Sequence, residues 1–255
     1  MYLLSEVIRK RFGIHRGIES PYALPNSLDA IKSAISLNPI FVEFDVILDN
    51  GSIKTAHPPQ EPLDNLKDVL RVFKESYTFP IIDLKLKENS YTILIDKVID
   101  LVKTTNEFTL INLSGIKIRD KMMQAEIYFA SKIRDNPNIR LNLDLARYRR
   151  PRQKIDEIIQ NHVKELKNTV YSISLEINEE NWEAIFKFAN HHGIKKCFFW
   201  LRGWPDVPNP KVKVKTILKA LNLEKKYNIE IYFDINLNYI KGLKMNHYFY
   251  SPYSN

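Results

Sequence analysis

A chain of 255 residues with 44% hydrophobic and 27% charged residues reads as an ordinary soluble globular protein with enough apolar material for a substantial core. Length leaves one large domain or two small ones open, since α/β barrels occupy about 250 residues as one unit. The single cysteine excludes an intrachain disulfide framework and a cysteine metal cage, and no apolar run approaches the ~20 residues of a membrane span.

The net charge of +8 points to an anionic partner, but its lysines are spread along the chain instead of gathered into one arm. The opening MYLLSEVIRKRF has too short an apolar run for a signal peptide. Cys197, in the apolar context KCFFW, reads as an inert core residue. These features predict a soluble, cytoplasmic protein.

In chain order, the short β-rich runs are FGIHRG at 12–17, IFVEFDVIL at 40–48, PIIDLKL at 80–86 and FTLINLS at 108–114. Four more follow: IRLNLDL at 139–145, VYSISLEIN at 170–178, KKCFFWLRG at 195–203 and IEIYFDIN at 229–236. Helical patterns separate them: SLDAIKSAISL, NLKDVLRVFKES, YTILIDKVIDLVK, RDKMMQAEIYFASKIRD, RQKIDEIIQNHVKEL, EENWEAIFKFANHHG and KVKTILKALNLEKK. Regular strand–helix alternation demands a parallel sheet with right-handed crossovers, and eight units in this length predict a (β/α)8 TIM barrel over 1–255 as one domain. The N-terminal YLLSEVIRK is expected to help cover the barrel, because LNYIKGLKMNHYFYSPYSN after the last strand offers a short helix at most.

Each strand ends in polar residues at a period of two. The pairs are His15 with Gly17, Glu43 with Asp45, Asp83 with Lys85, Asn112 with Ser114, Asn142 with Asp144, Ser174 with Glu176, Trp200 with Arg202, and Asp234 with Asn236. A parallel barrel gathers its strand C-termini on one rim, so these side chains converge on one pocket. Some polarity is expected wherever strands exit into loops, so the first three pairs carry most of the weight.

The stretch FVEFDVILDNGSIKTAH states the chemistry most sharply. Glu43 and Asp45 share one face of a strand whose other face carries Val42, Phe44 and Val46. A solvated face is the bland reading of such a triplet, but the flanking Ile40, Phe41, Val46, Ile47 and Leu48 argue for burial on both sides. Two buried carboxylates need a cation. Glu43, Asp45 and Asp83 offer hard oxygen ligands suited to Mg²⁺ or Ca²⁺. His15 and His57 are placed to flank that metal as general acid and base, because imidazole titrates near neutrality. Arg16 and Lys85 supply fixed positive charge for a phosphate. His162, His191, His192 and His247 fall on helical or terminal segments and read as structural.

These residues resemble the glycerophosphodiester phosphodiesterases, a family of metal-dependent barrel enzymes. The likeness runs through HRG at 15–17, PNSLDAIKSAI and FVEFDVILDNGSIKTAH, is specific over the first 86 residues and architectural beyond them; FFWLRG is reminiscent of the family's tryptophan-bearing seventh strand. It implies that His15 and His57 form the acid–base pair, that Arg16 binds phosphate, that Glu43, Asp45 and Asp83 hold the metal, and that Lys85 stabilises phosphoryl charge. Trp200 joins Arg16 and Lys85 as a substrate-binding residue. The implied substrate is a small phosphodiester, either a glycerophosphodiester or a related phospholipid-derived diester.

The chain departs from the family pattern at four points. Pro25, Asn26 and Ser27 stand where the family has E-N-T, Pro58 where an acidic residue follows the second histidine, and Asp83 where the family has glutamate. Only 25 residues separate His57 from Asp83, too few for the small insertion that covers glycerol in many members. The D-L-K at 83–85 is instead similar to the sphingomyelinase D group, so a phospholipid lyase is one alternative, with hydrolysis and cyclisation both open. A non-catalytic barrel that binds metal or phosphate is the other. A nucleic-acid-binding role ranks third, since no arginine–aromatic strip supports it and RYRRPRQK at 147–154 reads as a solvated loop and helix start. No stable membrane insertion is expected, and the oligomeric state is left open.

Overall fold

The computed structural model describes residues 11–105, 107–145, 148, 155–166, 169–176, 181–200 and 214–235. The N-terminal segment YLLSEVIRK, Arg202, Asn236, most of the basic stretch at 147–154 and the segment after the last strand lie outside the described residues.

Among the described residues nine strands run β1 (Phe12–His15), β2 (Phe41–Asp49), β3 (Ser52–Thr55), β4 (Phe79–Lys85), β5 (Thr109–Ser114), β6 (Ile139–Asp144), β7 (Val170–Glu176), β8 (Lys196–Trp200) and β9 (Glu230–Ile235). Between them lie α1 (Leu28–Ile35), α2 (Leu66–Phe73), α3 (Tyr91–Lys103), α4 (Arg119–Ile133), α5 (Glu157–Leu166), α6 (Trp182–His191) and α7 (Val214–Tyr227). Eight strands pair in parallel in the order β1-β9-β8-β7-β6-β5-β4-β2, and β1 pairs with β2 to close the barrel. The closing registers are Phe12 against Phe233 on one side and Gly13 against Phe41 on the other.

The ninth strand, β3, was not among the predicted elements. It folds back antiparallel on β2 through Asn50 and Gly51, both at positive φ (45° and 78°), as a two-residue hairpin turn requires. The first strand is shorter than FGIHRG implies: Arg16 and Gly17 have left the sheet with φ of 59° and 81°.

The barrel's two faces follow the period-two pattern. Outward residues such as Val42, Phe44, Ile82, Leu84, Ile111 and Leu113 join the core beneath the helices. That core receives the apolar stripe of each helix; in α2 it takes Leu66, Val69, Leu70 and Phe73, spaced three and four residues apart. Ser27 caps α1 by accepting from the Ala30 amide. Inside the barrel, Phe41, Ile81, Leu110 and Phe198 form a separate apolar floor. Gly13 makes room for it, because a Cβ there would lie 1.9 Å from the Phe41 ring. Above this floor the inward residues turn polar. Cys197 is buried, as expected, and burial pushes its thiol pKa up. Among the described residues no helix is long and apolar enough to cross a membrane.

Candidate functional site

His15 ends β1 on the inside of the barrel, and the next two residues bend the chain sharply over the rim. Arg16 is held in the left-handed region, a conformation that costs a non-glycine residue of order 1–3 kcal/mol. Its amide donates to the Glu43 carbonyl (2.7 Å) and its carbonyl accepts from the Asn26 amide (2.9 Å), so the main chain is fixed on both sides. Gly17 follows because a Cβ would sit 2.6 Å from the carbonyl carbon of Ala30. The Arg16 guanidinium is thereby turned back toward β2, with Nε 2.7 Å from Asp45 Oδ2.

The expected carboxylates lie together. One oxygen each from Glu43, Asp45 and Asp83 falls within 4.8 Å of the others, and all three residues are buried. Register explains the grouping, because Asp45 on β2 stands opposite Asp83 on β4. Lys85, two residues along the same inward face, places Nζ 2.7 Å from Asp45 Oδ1 and 2.6 Å from Asp83 Oδ2. Burial, the largest single influence on Lys85, disfavours its charge, but Asp83 and Asp45 together outweigh it and raise its pKa. The ammonium therefore stays charged between the two carboxylates.

His15 is engaged from two sides. Its Nδ1 donates to Asp234 Oδ2 at 3.0 Å and lies 2.8 Å from Glu43 Oε2. Nδ1 carries one proton, so the carboxylates of Glu43 and Asp234 compete for it. Burial, opposed by His15, lifts the Glu43 carboxyl above its ordinary range; at His15 burial is outweighed by Glu43 and Asp234, and the imidazole is raised as well. Trp200 on β8 meets the His15 ring edge-on, with centroids 5.7 Å apart.

His57 follows the β2–β3 hairpin and is half-buried on the same rim. Its pKa is lowered, chiefly by burial; Asp45 works against this, Arg16 and Lys85 reinforce it, and Asp83 opposes. Around β5 to β7 the fully buried inward groups Asn112, Asn142, Ser172 and Ser174 are neutral, while Asp144 stands half-buried at the end of β6. Asn142 donates to Asn112 Oδ1 at 2.7 Å and to Ser174 Oγ, and Ser172 donates to Asn142 Oδ1 at 2.7 Å.

His15, Arg16, Glu43, Asp45, His57, Asp83, Lys85 and Trp200 are thus on one end of the barrel, and Asp234 and Asn26 join them there. In the sequence Asp234 stands out only as one of the later polar strand ends. Barrel closure is the signal that would have promoted it, since the last strand must lie beside the first. Asn26 was noted as a departure from the family pattern, yet it is fully buried with φ of 68° and holds Asp45 twice: Nδ2 donates to Oδ2 (3.2 Å) and Oδ1 accepts from the Asp45 amide (2.9 Å). Of the histidines read as structural, His162 is buried on α5 with Nε2 2.5 Å from Glu126 Oε2, and His191 and His192 close α6.

The donor set fits a hard divalent cation. Four inward carboxylates, Glu43, Asp45, Asp83 and Asp234, face two permanent cations, Arg16 and Lys85. One oxygen each of Glu43, Asp45 and Asp83 converges to within 4.8 Å of the others. Such a cluster is short of positive charge, and oxygen-only ligands favour Mg²⁺ or Ca²⁺ over Zn²⁺.

No family model matches this chain, and no curated protein sequence matches it. Among solved structures, a phosphodiesterase from Oleispira antarctica in complex with the product sn-glycerol-3-phosphate superposes with a TM-score of 0.61 at 14% identity, covering 90% of this chain and 94% of the other. A glycerophosphodiester phosphodiesterase from Parabacteroides distasonis gives 0.60 at 15% identity, with coverages of 94% and 98%. One from Agrobacterium tumefaciens gives 0.58 at 12%, with 91% and 99%. At these identities the likeness establishes the barrel fold.

Proposed function

We propose that this protein is a metal-dependent phosphodiesterase acting on glycerophosphodiesters or related phospholipid-derived diesters through the histidine pair His15 and His57. The observation that carries this reading is the gathering of His15, Glu43, Asp45, Asp83, Lys85 and Arg16 on one barrel rim. Solved glycerophosphodiester phosphodiesterases share the fold over nearly the whole chain, which supports the same reading.

In this scheme Glu43, Asp45 and Asp83 hold Mg²⁺ or Ca²⁺, which when bound neutralises charge on the phosphoryl oxygens. Arg16 and Lys85 orient the diester through its remaining oxygens, and Trp200 forms an apolar wall beside His15. One imidazole takes the proton of the attacking hydroxyl as the new bond to phosphorus forms; the other gives a proton to the departing oxygen as its bond breaks. Asp234 holds the Nδ1 proton of His15, which leaves Nε2 as the nitrogen that faces substrate. Water as nucleophile yields a monoester, whereas a neighbouring substrate hydroxyl yields a cyclic phosphate.

The span from His57 to Asp83 is taken up by α2, its loops and the start of β4, which supports a leaving-group side without the small covering insertion and able to take head groups larger than glycerol. One observation favours a second reading: Lys85 already bridges Asp45 and Asp83, as a barrel that binds anions without turnover would also require. The deciding experiment incubates the purified protein and added Mg²⁺ or Ca²⁺ with glycerophosphodiesters, lysophospholipids, sphingomyelin and a chromogenic diester, with products followed by phosphorus NMR. Turnover of diesters with large as well as small head groups is expected. Turnover of glycerophosphodiesters alone removes the open-pocket claim, and none of any diester by a folded, metal-loaded protein leaves the binding-only barrel.

A further inference from the structure

The loop after β1 and the loop after β3 both deliver residues to the site, Arg16 from the first and His57 from the second, and they are joined by the side chain of Gln60. Its Nε2 donates to the Pro25 carbonyl at 2.9 Å. Its Oε1 accepts from the His57 amide at 3.3 Å and lies 3.5 Å from Asn26 Nδ2. The same Asn26 amide group donates to Asp45 Oδ2. The Gln60 amide donates to the His57 carbonyl at 2.8 Å, so one residue fixes both main-chain groups of His57.

We propose that Gln60 is a positioning residue: its carboxamide clamps the main chain of His57 to the Pro25–Asn26 segment and so sets where the His57 imidazole stands relative to Asp45. This rests on the phosphodiesterase reading for its catalytic consequence, but the clamp itself is a property of the substrate-free protein. The two sequence departures on either side of it, Pro25 and Pro58, are the positions this amide braces. A proline lacks the N–H through which a loop is usually tied down, and Gln60 supplies the tie instead by donating to the carbonyl of one and holding the residue before the other. A carboxamide suits the task because it presents a donor and an acceptor at once. No charge is introduced beside Arg16, Lys85 and the carboxylates.

The test compares Gln60→Met, which keeps length but has neither donor nor strong acceptor, with Gln60→Glu, which keeps the acceptor for the His57 amide. Hydrogen exchange of the His57 amide in the substrate-free protein is read by NMR, with the β2 amides as an internal reference. Gln60→Met is expected to speed exchange at His57 about tenfold with β2 unaffected, and Gln60→Glu to keep it protected. In steady-state assays kcat should fall about 10- to 100-fold in Gln60→Met with KM within about twofold, as misplacing a reacting group does. Gln60→Glu should recover part of that loss. Unchanged His57 exchange in Gln60→Met overturns the clamp even if no diester is ever turned over. Faster exchange with normal kcat in an active enzyme overturns the positioning role.

Discussion

Around β1, β2, β4 and β9 the barrel mouth is lined by ionisable groups, namely His15, Glu43, Asp45, Asp83, Lys85 and Asp234, with Arg16 beside them. Around β5, β6 and β7 the same inward level carries Asn112, Asn142, Ser172 and Ser174. The neutral side is tied together by hydrogen bonds, with Asn142 bonding Asn112, Ser172 and Ser174, and Asn112 Nδ2 is its one buried side-chain atom among the described residues left without a partner. The charged side is held by ion pairs, with Glu43 Oε2 on His15 and Asp45 Oδ1 on Lys85, and its four inward carboxylates outnumber the two permanent cations Arg16 and Lys85. Buried polar groups that close on one another specify a fold, whereas buried charges left short of partners await a ligand. Substitutions on the two sides should therefore separate chemistry from stability.

The largest effect is expected from Glu43→Gln and Asp45→Asn, each of which should lower kcat about 10²- to 10³-fold or more by removing charge from the reacting centre. For Glu43→Gln thermal unfolding should meanwhile show no loss of stability beyond about 1 kcal/mol, since one of several like charges has been removed, whereas Asp45→Asn also breaks the ion pairs to Arg16 and Lys85 and should cost about 3–5 kcal/mol. Marked unfolding with retained kcat would reverse the assignment of this side. Next, His15→Ala and His57→Ala should each lower kcat by about 10²-fold or more with the fold intact, as a general acid or base contributes; near-normal turnover in either would reduce that histidine to packing. Asp234→Asn keeps the shape but weakens the hold on the His15 Nδ1 proton, so a loss of about 10-fold in kcat is expected, and unchanged kcat would make Asp234 a bystander.

On the neutral side the smallest catalytic effect is expected. Asn142→Ala strips partners from Asn112, Ser172 and Ser174 and should destabilise by about 1–3 kcal/mol in chemical denaturation, while kcat stays within about threefold of the parent protein. A large drop in kcat at unchanged stability would mean that the neutral wall touches substrate.

The strand count of the barrel and its polar rim were legible because period-two patterning survives burial on both faces: inward Glu43 and Asp45 alternate with outward Phe44 and Val46 along one strand. Hairpin strand β3 escaped notice because SIKT is short, and its identity depends on pairing with β2. The metal-ligand candidates were readable as a set, since Glu43 and Asp45 share one face of β2 and Asp83 lies on the inward face of β4 beside them. Asp234 and Asn26 were harder for a different reason. Asp234 matters only once closure puts β9 against β1, and Asn26 matters only because a left-handed backbone turns its amide into Asp45. Neither relation has a local signature in the chain.

The most direct test of the central claim is turnover of a diester by the purified protein before chelation, after exhaustive chelation, and after Mg²⁺ or Ca²⁺ is restored. The account predicts that chelation abolishes activity, that restoring the cation returns it, and that Asp45→Asn does not respond. Turnover that survives chelation would contradict a metal held by Glu43, Asp45 and Asp83, because the charged side of the barrel would then be complete with Arg16 and Lys85 alone.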